Sequence, residues 1–594
     1  MIPHGYFASA VEQAKFELRG PIRKCAVLVY LAITVLSLGR YSRGAEAPEK
    51  ISPLRLRGFM VDPPRTPESL DYYRRLIAFS ADWGFNALVF RIADDQGAAI
   101  RFESHPEFFT HKNALTPSEV RELVAYGQQR GVELIPEIES FGHTKYITSI
   151  DQYAELADHD PKNVDKRSST FSGVIPSHPK VLRLFEDIYR ETAALFPSRY
   201  LHGGCDEVAW GDSDFTRQRL KSKSRAQIWA QYINDLNGIV RKAGKEFIIW
   251  GDHPLNEDPE ILGYLSKDII LMDWEYSRTD PKSVETAARK VLSNGMRVIG
   301  APSLIHCKWG PRAGVGQLRN IDAYADAYRG IDDARNLGVM VTNWVPSRYI
   351  QNSIWDGVAY AGVALNQGSA IARRDGFKRF VEKHYGGQWN DNWADIFDSY
   401  YAAAPDRKGC APSWTWPKLP AAWHNREGLV EVLNGNSTYA PPFTRILSLL
   451  NFSEPLVRRN LSDFRSFRLS LRYLEQLYWR NTVLVQELSK TETSKESAAD
   501  LIRAIAERDR LLYDEMSTEW DQGRPPESTL KSQDIYGVPG EQLVFDFGRA
   551  SAYSSELAKN PDSFISLLRE AKANAQVSEP SLMTSASAPH ASCR

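Results

Sequence analysis

The chain has 594 residues, 43% hydrophobic and 25% charged, with 73 Lys plus Arg against 74 Asp plus Glu for a net charge of -1. That length predicts more than one domain around ample core. The balanced charge supplies no overall field for nucleic acid or an anionic membrane, so those partners are not expected and a small neutral ligand fits better. Fifteen Trp, 26 Tyr and 25 Phe add flat apolar faces of the kind sugar rings stack on, although most aromatics belong to cores.

At the N-terminus Arg23 and Lys24 precede the apolar run CAVLVYLAITVLSLG, residues 25–39, followed by RYSRGAEAPEK. A basic patch, a short apolar run and small residues read as a secretory signal too short to span a bilayer comfortably. Residues 1–47 are therefore expected to be a signal peptide or an uncleaved N-terminal anchor. The protein is expected to be exported, periplasmic or secreted. Of five cysteines, Cys25 falls in that segment and Cys593 at the far end, leaving Cys205, Cys307 and Cys410 with no CxxC pair. Neither a disulfide framework nor a zinc site is implied.

From residue 50 onward β-rich runs alternate with helix-length amphipathic stretches. The runs are RLRGFMVD (55–62), ALVFRIAD (87–94), ELIPEIE (133–139), YLHGGCDE (200–207), EFIIWGD (246–252), DIILMDW (268–274), RVIGAPS (297–303) and GVMVTNW (338–344). Thr116 to Glu119 has capping-box spacing, and Gly131 is a helix stop. Eight such units predict an α/β fold, a (β/α)8 TIM barrel over residues 51–385, with its active site at the C-terminal ends of the strands.

The strand ends carry Asp62 and Arg65, Asp94 and Asp95, Glu139 and His143, Asp206 and Glu207, Trp250 and Asp252, Trp274 and Glu275, Ser303 and His306, and Trp344. Polar and aromatic residues thus gather on one rim. Asp206 and Glu207, adjacent in RYLHGGCDEVAWGD, stand out because neighbouring carboxylates resist ionising together. Beyond residue 386 the strand runs stop and helical periodicity continues, predicting a helical C-terminal domain over 386–574. A Pro-, Trp- and Gly-rich loop is expected over 405–445, and a disordered tail over 575–594.

Four stretches, RGFMVDPPR, GFNALVFRIADDQG, YGQQRGVELIPEIESFGHT and LHGGCDEV, resemble the family 20 glycoside hydrolases, exo-acting β-N-acetylhexosaminidases, in order and spacing over about 150 residues. The resemblance implies that Glu207 is the general acid and that Asp206 holds the 2-acetamido group of the substrate. It also implies that Arg65 and Asp94 meet sugar hydroxyls, and that Glu139 and His143 form a supporting dyad. The chain departs from the family at Cys205 (usually Gly), Glu139 (usually Asp) and Phe141 (usually Pro). Leu304 and His306 on strand seven, and Pro346 after Trp344, replace the usual polar contacts. These departures are closest to a hexosaminidase D-like branch.

The chemistry implied is substrate-assisted: the acetamide oxygen attacks the anomeric carbon, and the enzyme needs no nucleophile of its own. Ionised Asp206 would orient the acetamide and help keep Glu207 protonated, while Trp250, Trp274 and Trp344 would wall the sugar. The expected partner is a glycan or glycoconjugate with a terminal N-acetylhexosamine, with no cofactor. No metal is expected, since Asp94, Asp95 and His306 lack a clustered-His pattern. His202 and Cys205 are expected as buried structural residues. A sugar-binding barrel without turnover and a glycosidase of other sugar specificity are the alternatives. GlcNAc against GalNAc preference, the aglycone and the oligomeric state stay open.

Overall fold

The computed structural model describes residues 54–159, 173–305, 312–403, 442–490, 494–524 and 543–575. The expected signal, His306, Cys307, Cys410, nearly all of the 405–445 loop and the tail after 575 lie outside these residues. Eight parallel strands form the barrel: β1 (Leu56–Val61), β2 (Ala87–Asp94), β3 (Glu133–Ile138), β4 (Tyr200–His202), β5 (Glu246–Trp250), β6 (Ile270–Trp274), β7 (Arg297–Ala301) and β8 (Asn336–Asn343). Each pairs with the next, and β8 returns to β1 in the register Leu56↔Gly338, so the sheet closes without an edge.

Between the strands run α1 (Leu70–Asp82), α2 (Pro117–Gln129), α3 (Pro179–Leu195), α4 (Arg225–Lys242), α5 (Pro281–Ser293) and α6 (Val315–Gly330), and α7 (Trp355–Gln367) follows β8. The capping box at Thr116 forms: its hydroxyl accepts from the Glu119 amide, and the Glu119 carboxylate accepts from the Thr116 amide. The β5–β6 connection departs from the pattern, with a wide turn at His253–Glu257 and a short helix, Ile261–Tyr264.

Two further differences from the sequence reading have local causes. The fourth run was expected to stay extended to residue 207, but β4 ends at His202. Gly204, Cys205 and Glu207 take φ of 65°, 75° and 47°, a left-handed region no strand uses. Three short strands also went unread. Gly97–Ile100 turns back antiparallel on β2, Thr110–Leu115 joins it, and Ser303–Ile305 pairs with β8.

Inside the barrel an apolar plug of Met60, Val89, Ile135, Ile248, Ile270 and Ile299 fills the lower layers, and Trp250, Tyr276 and Trp344 cap it. Outside, the helices bury the opposite strand faces. Helices α8 (Ser369–Phe380), α9 (Asp391–Ala403), α10 (Phe443–Ser453), α11 (Leu461–Ser489), α12 (Lys495–Gly523), α13 (Leu543–Lys559) and α14 (Pro561–Ala575) follow. One hydrophobic core holds Leu88 and Ile249 of the barrel together with Phe464, Leu474 and Phe547 of these helices. His384 reaches Asp463 at 2.8 Å, and Arg75 of α1 pairs with the same carboxylate. No helix among the described residues is long and apolar enough to cross a membrane.

The closing seam gives a direct test. Gly338 sits at φ 125°, and a β-carbon there would collide with the backbone of Leu56. Neither atom can move without opening the β1–β8 ladder. Gly338→Ala is expected to cost about 2–4 kcal/mol in a denaturant titration, whereas Gly131→Ala, with open space around it, should cost about 1 kcal/mol through its backbone angle alone.

Candidate active site

The mouth of the barrel is organised by a residue within a strand. Arg91 of β2 is fully buried, and a guanidinium removed from water requires anions around it. Its Nε donates to Glu137 at 2.7 Å, Nη1 to Asp62 at 2.6 Å and Asp94 at 3.2 Å, and Nη2 to Glu139 at 2.8 Å. Asp94 also accepts from Arg65 at 2.7 Å. Burial opposes ionisation of Asp94, but Arg65 and Arg91 outweigh it and hold the carboxyl at about 2.

Glu137 is pushed up to about 7 by burial against the pull of Arg91. Glu139 is pushed well above the usual carboxylate range by burial and by Asp206 and Glu137. Of the four carboxyl groups around this cation, Glu137 and Glu139 are thus the two shifted toward the protonated form.

The stretch after β4 is bent around this cluster. A side chain at Gly204 would strike the Glu139 carboxylate, so glycine is required on both steric and φ grounds. The Cys205 amide donates to Glu139 Oε2 at 3.2 Å, and its thiol contacts the Gly203 carbonyl at 3.1 Å. Burial raises the Cys205 thiol well above its ordinary value, the state of an inert packing residue.

The amides of Glu207 and Val208 are caught by residues just after β5. Glu207 N–H donates to Asp252 Oδ2 at 2.9 Å, and Val208 N–H to His253 Nε2 at 3.3 Å. His253 Nδ1 lies 3.0 Å from Glu257. Asp206 is buried at 6% exposure, and its Oδ1 has no hydrogen-bond partner among the described residues. The Glu207 side chain keeps 23% of its surface open.

Behind Glu207 stands His143, itself left-handed at φ 49°. The sequence reading paired it with Glu139; the structure gives its Nδ1 to Asp95 Oδ2 at 2.7 Å and its Nε2 to Glu207 Oε2 at 3.4 Å. Burial alone would favour the neutral ring, but Asp95 and Glu207 outweigh it and hold the imidazole well above its usual value. His202 is buried as expected: its Nδ1 accepts the Gly204 amide at 3.0 Å, and burial with Arg91 nearby keeps it neutral.

Trp250 and Trp344 meet at 5.7 Å between ring centres, and Trp274 lies 5.2 Å from Tyr276. The Trp344 indole N–H donates to the Tyr276 hydroxyl at 2.8 Å. Its ring is covered by Arg91 and Arg65 at 4.7 and 5.3 Å. Thus Arg65, Asp94, Glu139, His143, Asp206, Glu207, Trp250, Trp274 and Trp344 share one mouth. Leu304 is fully buried beside Gly357.

Sequence reasoning did not single out Arg91, Glu137, Tyr276 or His253. An arginine inside the otherwise apolar ALVFRIAD was the available signal, because a cation there demands buried partners.

Two trios, His143–Asp206–Glu207 and Asp252–His253–Glu257, bring potential ligand atoms within 4.8 Å of one another. Their nitrogens already bind Asp95 and Glu207 in one case, and the Val208 amide and Glu257 in the other.

A closed parallel barrel whose C-terminal rim joins a partly open carboxyl, a buried carboxylate and an aromatic wall is an arrangement compatible with glycoside hydrolysis. Residues 55–321, under half of the chain, match the model of the glycosyl hydrolase family 20 catalytic domain. β8 with Trp344, and the helices after it, lie beyond the match. The chain is 25% identical over 250 residues to the β-hexosaminidase of Vibrio furnissii, covering 37% of this chain and 40% of that one. It is 29% identical over 169 residues to the β-hexosaminidase of Akkermansia muciniphila, covering 26% and 34%. To the lacto-N-biosidase of Bifidobacterium bifidum it is 24% identical over 327 residues, covering 49% and 26%. The chain therefore spans well under half the length of these relatives.

Removing the hub cation should be severe. Arg91→Met leaves its carboxylates uncompensated and is expected to cost about 3–5 kcal/mol, with Arg91→Lys intermediate because fewer contacts can be made at once. A pH test is available at Asp252, which burial pushes up to about 6. A raised acid binds its proton more tightly when folded, so its contribution to stability is full near pH 4 and is lost as pH rises through 6. Asp252→Asn should flatten that part of the stability–pH profile; an unchanged slope between pH 4 and 6 would contradict the assignment.

Proposed function

We propose that the protein is an exo-acting β-N-acetylhexosaminidase that releases terminal β-linked GlcNAc or GalNAc with retention, by substrate-assisted catalysis. The observation that carries this reading is the unlike pair just after β4: buried Asp206, whose Oδ1 has no hydrogen-bond partner among the described residues, beside Glu207, which is partly open and backed by His143.

A carboxylate with a free lone pair in a dry pocket is suited to an amide N–H and to a developing positive charge. In the first step the acetamide carbonyl oxygen bonds to the anomeric carbon as the bond to the aglycone oxygen breaks. Glu207 gives that oxygen its proton. Asp206 accepts from the acetamide N–H and balances the charge of the oxazolinium. In the second step water attacks the anomeric carbon as its bond to the acetamide oxygen breaks and the acetamide re-forms, Glu207 takes a proton from the water, and two inversions give retention.

His143 Nε2 faces Glu207 Oε2 across 3.4 Å, with Asp95 fixing the ring. That arrangement keeps a proton available where the leaving group departs. Trp250, Trp274 and Trp344 support the apolar sugar face and the acetamide methyl, and Arg65 with Asp94 supports hydroxyl recognition.

A second reading, hydrolysis of a different sugar, is favoured by one observation: the β7 rim supplies fully buried Leu304 where a polar contact was expected. Chromogenic β-GlcNAc, β-GalNAc, β-glucose and β-galactose substrates separate the two. Activity is expected on the acetamido sugars alone, because the others bring no nucleophile; equal rates on β-glucoside would refute substrate assistance. Dialysis against a chelator should leave the rate unchanged. Export through residues 1–47 remains part of the proposal, with a mature N-terminus expected at about residue 45–50.

The carboxylates should separate by leaving group. Glu207→Gln should slow substrates with poor leaving groups by roughly a hundred- to ten-thousandfold while sparing those whose aglycone departs unprotonated. Asp206→Asn should lower kcat for both kinds. A covalent glycosyl-enzyme seen by mass spectrometry in any rim-carboxylate mutant would overturn the mechanism.

A further inference from the structure

The barrel mouth is also held from outside the catalytic domain. Arg524, at the end of α12, is buried against the loops after β1 and β8 with its side chain 1% exposed. Its Nε and Nη2 donate to Glu68 Oε1 at 3.2 and 3.0 Å, and Nη2 also to the carbonyls of Pro346 at 2.8 Å and Tyr349 at 3.4 Å. Trp520 covers the guanidinium at 3.5 Å. Gln351 donates to the other oxygen of Glu68, whose carboxyl is 1% exposed.

The two loops carry site residues. Glu68 lies three positions after Arg65, and Pro346 two after Trp344. Between them Val345, left-handed at φ 50°, gives its amide to Asp62 at 3.0 Å, and Arg65 covers the Trp344 ring. Left-handed backbone costs a β-branched residue about 1 kcal/mol or more, so this turn needs support from its surroundings. Arg524 supplies it on the side opposite Asp62. An ion pair this dry is a poor source of stability but a geometrically exacting one, because a guanidinium fork fixes both direction and distance.

We propose that Arg524 is a positioning residue for the sugar site, through which the C-terminal helical region fixes the β1 and β8 loops and thereby the placement of Arg65 against Trp344. The assignment rests on the proposed hexosaminidase reading. It gives the helical region a part in binding, although the family match ends at residue 321.

The test uses the full chain with Arg524→Met, Arg524→Lys, Glu68→Gln and the Arg524→Met/Glu68→Gln double variant. Arg524→Met should raise KM for a chromogenic β-GlcNAc substrate, and the inhibition constant of free N-acetylglucosamine, by roughly ten- to a hundredfold, with kcat changed less. Arg524→Lys should fall between, and the double variant should be no worse than Arg524→Met, since both remove one contact. Hydrogen exchange should quicken in peptides spanning 62–68 and 344–351 while β3 and β5 stay protected. Wild-type KM and inhibition constants in folded Arg524→Met, or unchanged exchange in those two peptides, would overturn the proposal. Should Arg524→Met fail to fold, Glu68→Gln and Gln351→Ala carry the same readouts. A wild type inactive on both acetamido sugars would defeat the hexosaminidase reading instead, and the exchange measurement would still decide the role of Arg524.

Discussion

Everything at the mouth of this barrel depends on the buried guanidinium of Arg91. A cation with no surface in water is tolerated only if anions surround it in good geometry, and Arg91 draws in carboxylates from the ends of β1, β2 and β3 together. Those anions in turn place other parts. Asp62 also holds the amide that begins the β8 turn, Asp94 holds Arg65, and Glu139 receives the Cys205 amide on the approach to Asp206 and Glu207. Burial, with Asp206 close by, raises both Glu137 and Glu139 above the usual carboxylate range against the pull of Arg91. The cluster is therefore a closely bonded foundation for the segment that carries Asp206 and Glu207.

The second constraint is conformational. Between His202 and Val208 the chain passes through three left-handed residues, two of them not glycine, each costing about 1–3 kcal/mol. Side chains from two neighbouring strands pin this segment: Glu139 on one side, Asp252 and His253 on the other. The result turns successive carboxylates in different directions. A regular strand would also have sent them to opposite faces, one into the barrel and one into the helix layer. The bend instead leaves both at the mouth, one buried and one half-open, which is the asymmetry that separate acid and anion roles require.

Much of this was legible beforehand for definite reasons. The eight strands were visible because buried parallel strands read as short apolar runs between capped helices, and the rim followed from the position of each run's last residue. β4 was overextended because nothing in GGCDE distinguishes a strand from a left-handed bend until Gly204 is seen against Glu139. The short strands Gly97–Ile100 and Thr110–Leu115, with sequences GAAI and THKNAL, carry little β-branched or alternating pattern and are held by pairing, the first to β2 and the second to the first. The partner of His143 was missed because its Asp95 lies 48 residues away, in the turn after a strand whose last carboxylate, Asp94, had been given the role in recognition. Arg91 was passed over because strand interiors were read for hydrophobicity, so the one charge inside such a run counted as noise.

The contacts made by Arg524 extend the same logic beyond the catalytic domain. Eight βα units suffice to close a barrel, but the loops at its C-terminal end are the least constrained parts of the fold. Here the first and last of them, which meet across the closing seam, carry Arg65 and Trp344. Asp62 ties them from within, through Arg91 on one oxygen and the Val345 amide on the other. Arg524 ties them from without, through Glu68 and the Pro346 carbonyl. A seam held at two points resists both spreading and twisting, whereas one contact would leave a hinge. The aromatic wall on which a sugar would rest is in that sense built by two regions of the chain, and the catalytic barrel taken alone would lack half of the support for its eighth strand's contribution.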